Sequence, residues 1–501
     1  MNKRNILFVY PPLNEETKRG IESNPLYGAD RNLEISFLYL DAYLRKKIPG
    51  IECRYLDFRI ENRDDAEKLL HEQFSSGTIK YVGFTCYSCH YLSVITIARL
   101  IKKIDPNIVI IVGGFHPTIK PFDFSFDRSP IDYIIRGEGE ISLSEIVQNN
   151  LGPVLRPRIL ESPNLLTLDE VPPLKLDLME RYRGKLDFSE LSIYISRGCT
   201  FNCSFCISRE ETCGLKQYRF MSLKNIQDQL EILESYAPAR IVIQDPLFGV
   251  NKTWFEDVTG LLWKKDRSYK VKVEMHVDLL NEDKLARLME KKIDLAVGFE
   301  SASRQMLYLM NKTKDPAKYV NNAKNLVERF SESGQELILN ILIGHPGESK
   351  STLDESFAFL SGLSERMNGV LPKFSLFRLY PGTPVYLEEA FFKKVFHARY
   401  YLKEWWYYDV DHALVPCIVD PSKDLDLISE ISYTRDRIND FIDNVTKSSD
   451  SLSIAYKLAF LKNLSKINRS FDMLKDKMFL LKQQLPALAN SSLTNAGVMK
   501  S

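Results

Sequence analysis

The sequence predicts an α/β protein: an N-terminal doubly wound, Rossmann-like parallel sheet, then a partial (βα)6 TIM-type barrel, then a C-terminal helical region. Three observations predict it. Short apolar segments alternate with helical ones over residues 1–150, the alternation resumes at about 188, and a proline-rich connector at 151–187 lies between. Mostly apolar strands alternating with helices mark a parallel sheet covered on both faces.

In the first unit the candidate strands are Asn5–Tyr10, Glu52–Phe58, Tyr81–Cys86, Ile108–Gly113 and Tyr133–Arg136, with helices at Leu33–Lys47, Asp64–Phe74 and Leu92–Ile104. Such sheets bind ligands at the carboxyl ends of their strands. Those ends read Tyr10-Pro11-Pro12, Thr85-Cys86-Tyr87-Ser88-Cys89-His90, Gly113-Gly114-Phe115-His116-Pro117 and Arg136-Gly137-Glu138-Gly139-Glu140. Their glycines either admit a ligand close to the backbone or only make tight βα turns. Pro153, Pro157, Pro163, Pro172 and Pro173 then break any helix in the connector.

In the second unit, residues 188–395, strands start near Leu191, Ile241, Val271, Leu295, Leu337 and Phe374. Helices intervene at Leu223–Ser235, Trp254–Lys265, Glu282–Lys291, Pro316–Ser331 and Leu353–Ser364. Reactive groups of such a barrel follow its strands. From 396 to 501 an aromatic cluster (Tyr400, Tyr401, Trp405, Trp406, Tyr407, Tyr408) leads into a helical stretch, Ile454–Leu481, and a disordered end is expected. The aromatic run carries little basic charge, so packing on the barrel is expected rather than base stacking.

Composition narrows the function. Lys+Arg is 67 against Asp+Glu 66, a net charge of +1, which excludes a polyanion binder working through bulk charge; no nucleic-acid partner is expected. Eight Cys in 501 residues are too few for a disulfide scaffold. No apolar run is long enough to span a membrane, and the one before Pro11-Pro12 is too short for a signal-peptide core. The expectation is a cytoplasmic protein with reduced thiols, no membrane partner, and metal or redox chemistry wherever Cys cluster.

They cluster in Cys199-Thr200-Phe201-Asn202-Cys203-Ser204-Phe205-Cys206, directly after the first barrel strand. Thiolates suit iron–sulfur clusters. Three in one loop can hold three irons of a cubane and leave the fourth open to a substrate, as in an open catalytic zinc site. A structural zinc site is the alternative, with Cys213 as fourth ligand by count.

Cys-x3-Cys-x2-Cys with an aromatic, Phe205, before the third Cys resembles the radical S-adenosylmethionine superfamily. The resemblance implies that Cys199, Cys203 and Cys206 ligate a four-iron four-sulfur (4Fe-4S) cluster. It further implies that S-adenosylmethionine binds the open iron and is cleaved to a 5′-deoxyadenosyl radical, with electrons from a donor such as flavodoxin or ferredoxin. The hard chemistry is the cofactors' own. Asp245, in Gln244-Asp245-Pro246, either accepts from the cofactor ammonium or caps a helix. Glu300 and Ser301 lie in Gly298-Phe299-Glu300-Ser301, which resembles the family's Gly-x-Glu-Ser segment, where the Glu meets the ribose or methionine end. Gly344-His345-Pro346-Gly347-Glu348 and Tyr380-Pro381-Gly382-Thr383-Pro384 resemble two further family turns. His276 either lines the substrate pocket or sits in the core.

The N-terminal sheet before this barrel resembles the cobalamin-binding domain of one branch of the superfamily. The matching pieces are Val9-Tyr10-Pro11-Pro12, Val112-Gly113-Gly114-x-His116-Pro117-Thr118 and Arg136-Gly137-Glu138-Gly139-Glu140. By this resemblance Tyr10, Pro11, Thr85, Tyr87, Gly113, Gly114, His116, Gly137, Glu138 and Gly139 are the candidate cobalamin contacts. Residues 11–34 hold no His, so the Asp-x-His-x-x-Gly ligand of other cobalamin domains is absent; the loop Cys86–Tyr91 is the candidate for the lower face of cobalt. Cys53 begins a strand whereas Cys86 and Cys89 follow one. A strand of five or six residues puts them roughly 15–20 Å apart, which excludes one cluster on all three.

The expected activity is a cobalamin-dependent radical methyltransferase acting on an unactivated carbon of a small-molecule or peptide substrate. A radical cyclase, ring-contracting or oxidising enzyme is the alternative, and an iron–sulfur or cobalamin sensor the remote one.

Overall fold

The computed structural model describes residues 5–12, 32–61, 65–208, 218–263, 267–363, 366–377, 382–387 and 436–441. The first unit runs β1 (Asn5–Tyr10), α1 (Ile35–Lys47), β2 (Cys53–Asp57), α2 (Ala66–Phe74), β3 (Ile79–Thr85), α3 (Tyr91–Ile104), β4 (Val109–Gly113), α4 (Phe115–Ile119), β5 (Tyr133–Arg136), α5 (Glu140–Gln148) and β6 (Arg158–Glu161). All six strands are parallel, in the order β2-β1-β3-β4-β5-β6. The order reverses between β1 and β3, so the ligand crevice of such a sheet opens where Tyr10 and Thr85 end their strands.

β6 corrects the sequence reading, which left 151–187 as a bare connector. Four residues of mixed polarity carry too weak a pattern to be read as a strand. As an edge strand it needs hydrogen bonds on one side only, which Pro153 and Pro157 just before it do not disturb.

The second unit continues with β7 (Glu190–Ile193), the short β8 (Ser196–Arg197) and β9 (Arg219–Phe220), α6 (Leu223–Glu234), β10 (Arg240–Ile243), α7 (Lys252–Leu262), β11 (Lys270–His276), α8 (Glu282–Glu290) and β12 (Ile293–Glu300). α9 (Arg304–Leu309), α10 (Pro316–Ser333), β13 (Leu337–Ile343), α11 (Lys350–Ser361), β14 (Val370–Leu376) and α12 (Pro384–Leu387) complete it. Strands β7-β10-β11-β12-β13-β14 pair in sequence, all parallel, as a curved six-stranded partial barrel.

Alternation along β1 shows how the core is divided. Leu7 and Val9 pack with α3 on one face. Ile6 and Phe8 pack with α1 on the other, in a cluster that continues through Tyr182 and Leu191 into the barrel. One apolar core therefore bridges both sheets. The expected aromatic cluster at 400–408 and the stretch 454–481 lie outside the described residues; of the expected tail only the helix at 436–441 is described, with Ile438 and Phe441 buried. Among the described residues no helix is long and apolar enough to cross a membrane.

Candidate active site at the strand ends

The cysteine loop is held from several sides. Asp245, fully buried at the end of β10, accepts at Oδ1 from the Ile195 amide (2.8 Å) and the Ser196 amide (3.0 Å), and at Oδ2 from the Ser196 hydroxyl (2.6 Å). Asp245 thus pins the backbone entering the loop, and both its oxygens are engaged by this chain rather than open to a cofactor ammonium. Gly198, at φ 98°, then turns the chain into Cys199. Further on, the Ser204 amide donates to Met310 O (2.8 Å), Asn311 Nδ2 to Asn202 O (2.7 Å) and the Val385 amide to Ser204 O (2.9 Å). Ser204 Oγ also meets His345 Nε2 at 2.8 Å.

Cys203 is buried and Cys199 and Cys206 are half-buried. Burial pushes the Cys203 thiol up to about 12, while the Lys312 ammonium pulls it down. These residues fit a soft metal cluster: three reduced thiols in one loop, beside a buried cation that offsets thiolate charge, with metal binding set to release protons. Among the described residues no three ligand side chains stand ready to share one ion.

Glu300 ends β12 at φ 67°, beyond a register shift between Gly298 and Glu300. Its Oε1 accepts from Lys312 Nζ at 3.2 Å, and both side chains are buried. Burial raises the Glu300 carboxyl and Lys312 lowers it. A Cβ at Gly298 would stand 2.5 Å from Glu300 Oε1 and 2.8 Å from Lys312 Nζ, so this pair needs glycine there. Lys312 also lies 5.7 Å from the centre of the Phe205 ring. Sequence reasoning missed Lys312, because no local pattern marks a lysine between α9 and α10. Ser301 faces elsewhere: its hydroxyl meets Ser356 Oγ at 2.9 Å and accepts from the Ser303 amide at 3.0 Å, anchoring the strand end to α11.

His276 stacks flat on Phe201 of the cysteine loop, with ring centres 3.7 Å apart and 10° between planes. Its Nδ1 accepts from the Asp278 amide at 3.2 Å, and burial pushes the imidazole down to about 2, so it is neutral.

The first sheet's strand-end loops form one hydrogen-bonded platform. The Cys86 amide donates to Gly113 O (2.9 Å), the His116 amide to Cys86 O (3.0 Å), and the Gly137 amide to Thr118 Oγ1 (3.1 Å). Gly114, at φ 100°, is required: a Cβ would lie 3.1 Å from the Cys86 amide and 3.1 Å from Thr85 Oγ1. Gly113 leaves open space, since a Cβ there would meet nothing within 4 Å. Tyr10 packs edge-on to His90 with the Arg59 guanidinium 4.0 Å from its ring centre; Tyr87 stacks on Phe115; Pro11 is buried. Buried His90 keeps an Nδ1 without a hydrogen-bond partner, inside the loop Cys86–Tyr91. An open glycine platform and an orphaned imidazole nitrogen at the switch point fit a corrinoid. Cys53 pairs level with Ile6 and Thr85 lies beyond Phe84, level with Gly113, so Cys53 and Cys86 are at opposite ends of the sheet.

Two of the expected contacts are engaged within this chain. His116 is turned into the core, between Ser88 Oγ (3.0 Å) and Asp123 Oδ2 (3.1 Å), with its side chain fully buried. Glu138 faces the barrel: Oε2 accepts from the Leu165 amide (3.1 Å) and Arg219 Nη1 (3.1 Å), and Oε1 pairs with Arg219 and with Arg197 Nη1 (3.3 Å). Arg197, two residues before Cys199, also reaches Glu140 at 2.7 Å. Gly139 opens α5 with space only for Leu40, 3.2 Å from where a Cβ would be. The Arg-Gly-Glu-Gly-Glu loop therefore clamps the first sheet to the cysteine loop.

Comparison with known proteins agrees with both halves. A B12 binding domain model matches residues 32–147, and a Radical SAM superfamily model matches residues 193–360. An uncharacterized methyltransferase of Pyrococcus horikoshii is 26% identical over 60% of this chain and 67% of its own. An anaerobic magnesium-protoporphyrin IX monomethyl ester cyclase of Rubrivivax gelatinosus is 24% identical over 59% of this chain and 56% of its own. The cobalamin-dependent radical SAM methyltransferase TokK of Streptomyces tokunonensis is 24% identical, over 34% of this chain and 28% of its own. The chain thus spans from about a quarter to two thirds of these relatives. The structure of TsrM from Kitasatospora setae, with cobalamin and a 4Fe-4S cluster bound, shares the fold, with a TM-score of 0.57, 20% identity and coverage of 77% of each chain. The chain thus carries a B12 binding domain followed by a radical SAM domain.

Proposed function

We propose that this chain is a cobalamin-dependent methyltransferase acting on an unactivated carbon of a small-molecule or peptide substrate. One observation carries the reading: Arg197, beside the cysteine loop, is bound to Glu138 and Glu140 of the first sheet, so the two strand-end sites are joined by buried charge. In this reading Cys199, Cys203 and Cys206 hold three irons of a 4Fe-4S cluster. When bound, the cluster with S-adenosylmethionine supplies a hydrogen-abstracting radical, and cobalamin supplies the methyl group. Lys312 offsets the thiolate charge and pairs with Glu300, which accepts from the ribose or methionine end of S-adenosylmethionine. The platform of Thr85, Gly113, Gly114 and Gly137, with Tyr10 and Tyr87, seats the corrinoid. His276 and Phe201 form a flat wall that keeps water from the cysteine loop. An electron donor such as flavodoxin or ferredoxin serves the cluster in the cytoplasm.

The cyclase among the relatives favours a second reading, ring formation without methyl transfer. Anaerobic turnover separates the two. The methyltransferase yields deoxyadenosine, S-adenosylhomocysteine and a product heavier by one methylene group. Deoxyadenosine without S-adenosylhomocysteine contradicts it.

A further inference from the structure

One surface segment grips the cysteine loop from outside. Helix α9 ends at Leu309, and Asn311, at φ 48°, takes the left-handed position that reverses the chain. The reversal sends neighbouring residues in opposite directions. Met310 is buried and its carbonyl accepts from the Ser204 amide (2.8 Å), while Asn311 Nδ2 donates to Asn202 O (2.7 Å). These two bonds fall on the two peptide groups that flank Cys203. Tyr308 and Leu309 are instead 76% and 41% exposed. Leu309 lies on Gly347, where a Cβ would stand 2.6 Å from its Cδ1.

Two features exceed what a buttress for the loop requires. The first is the exposure of a tyrosine and a leucine side by side, since an apolar patch with a polar rim marks a protein contact. The second is the charge of that rim. Arg304 stands one turn before Tyr308 on the same helix face, Lys314 and Lys318 follow, and Lys350 lies three residues beyond Gly347; all four are exposed. Asp315 and Asp278 are the acids among them, and Lys318 acts on Asp278. The side chains of Arg304 and Lys314 make no hydrogen bond or ion pair among the described residues. The rim is therefore cationic, in a chain whose total charge is only +1.

We propose that this surface, Tyr308 and Leu309 with Arg304 and Lys314, docks the one-electron donor, and that the donor is a small acidic carrier protein. The assignment rests on the proposed function, in which the cluster is reduced from outside the chain. One electron passes from the carrier's reduced flavin or iron–sulfur centre to the cluster. The carrier is oxidised by one electron, the cluster is reduced by one, and no atom is exchanged between the proteins. Electron transfer weakens steeply with each gap in the bonded path. From this segment the path to Cys203 is covalent apart from one hydrogen bond, by way of either Met310 or Asn311. The carrier has to leave after each electron, which suits a contact at the small end of protein interfaces. The cationic rim steers an acidic carrier to the surface and gives nothing to a basic one.

The test uses the anaerobically reconstituted full chain and follows bleaching of the cluster absorption by stopped flow. The probes are a pre-reduced flavodoxin and a pre-reduced 4Fe-4S ferredoxin, both acidic, beside dithionite, which needs no docking surface. At least one carrier reduces the cluster, at a rate that falls as salt rises. Arg304→Glu with Lys314→Glu slows that carrier about tenfold at low salt and flattens the salt dependence. Tyr308→Ser slows it about fivefold. Reduction by dithionite and the iron and corrin contents stay unchanged, and Arg128→Glu, an equal charge change at an exposed site on the first unit, leaves the carrier rate as it was. Failure of both carriers on the unaltered chain, undiminished rates in the variants, or an equal loss with dithionite or with Arg128→Glu overturns the assignment. So does a dimer of the unaltered chain in sedimentation that Tyr308→Ser dissociates, which would give the surface to a second copy. These outcomes leave the proposed function standing. It falls instead if the dithionite-reduced chain never cleaves S-adenosylmethionine.

Discussion

The two sets of strand ends solve opposite problems. Those of the first sheet are built mainly of glycine, aromatic rings and backbone hydrogen bonds; their one buried ion pair, Asp57–Arg59, is closed on itself at 2.7 Å, and their acidic motif is turned away toward the barrel. Those of the second gather ionisable groups: the buried Cys203 thiol with the half-buried thiols of Cys199 and Cys206, the buried Glu300–Lys312 pair and buried Asp245. A large neutral macrocycle needs shape and an open platform. A charged cluster needs soft ligands and a compensating cation, because unpaired buried charge is costly.

The contrast breaks most completely at the thiols. Cys203→Ala abolishes the cluster absorption and leaves corrin binding intact, read by anaerobic reconstitution followed by a visible spectrum. Loss of both signals would show that the two regions are not separate sites. Lys312→Met comes next. It leaves Glu300 buried without its partner and destabilises the fold by about 3–5 kcal/mol, measured by urea unfolding. Lys312→Met with Glu300→Gln recovers much of that loss.

The clamp between the regions has a smaller effect on stability and a specific one on coupling. Arg197→Gln removes charge-assisted bonds to Glu138 and Glu140 and costs about 1.5–3 kcal/mol. Cluster and corrin contents are retained, while deoxyadenosine release is uncoupled from methyl transfer. Unchanged coupling would reduce the clamp to packing.

Asp245 gives an effect that varies with pH. Burial raises its carboxyl from 3.8 to about 7. The folded state therefore holds a proton that the unfolded state has released between those values. The stabilisation is fully present below pH about 4 and is lost as pH rises through about 7, at up to about 1.4 kcal/mol per pH unit. Asp245→Asn flattens that slope in urea titrations between pH 5 and 8; an unaltered slope would assign it to another group.

Most of the architecture was legible because its strands are apolar runs punctuated by glycine or proline. Asn5–Tyr10 and Tyr133–Arg136 match to the residue. The cysteine loop was legible because its ligands are local in sequence. What sequence reading missed is long-range pairing. Glu138 and Arg219 are 81 residues apart, and nothing near either announces the other, so a strand-end glutamate read as a ligand contact. Arg197 beside Gly198-Cys199, together with the acidic density of Arg136–Glu140, was the one available signal. Lys312 is twelve residues beyond Glu300 across a short helix, and only the fold brings them together.

The account rests on one chain holding two different cofactors at two joined sites. Iron, sulfide and corrin content per chain after anaerobic reconstitution tests this most directly. The prediction is four irons, four sulfides and one corrin. Zinc in place of iron, or a full cluster with no corrin retained, would contradict it.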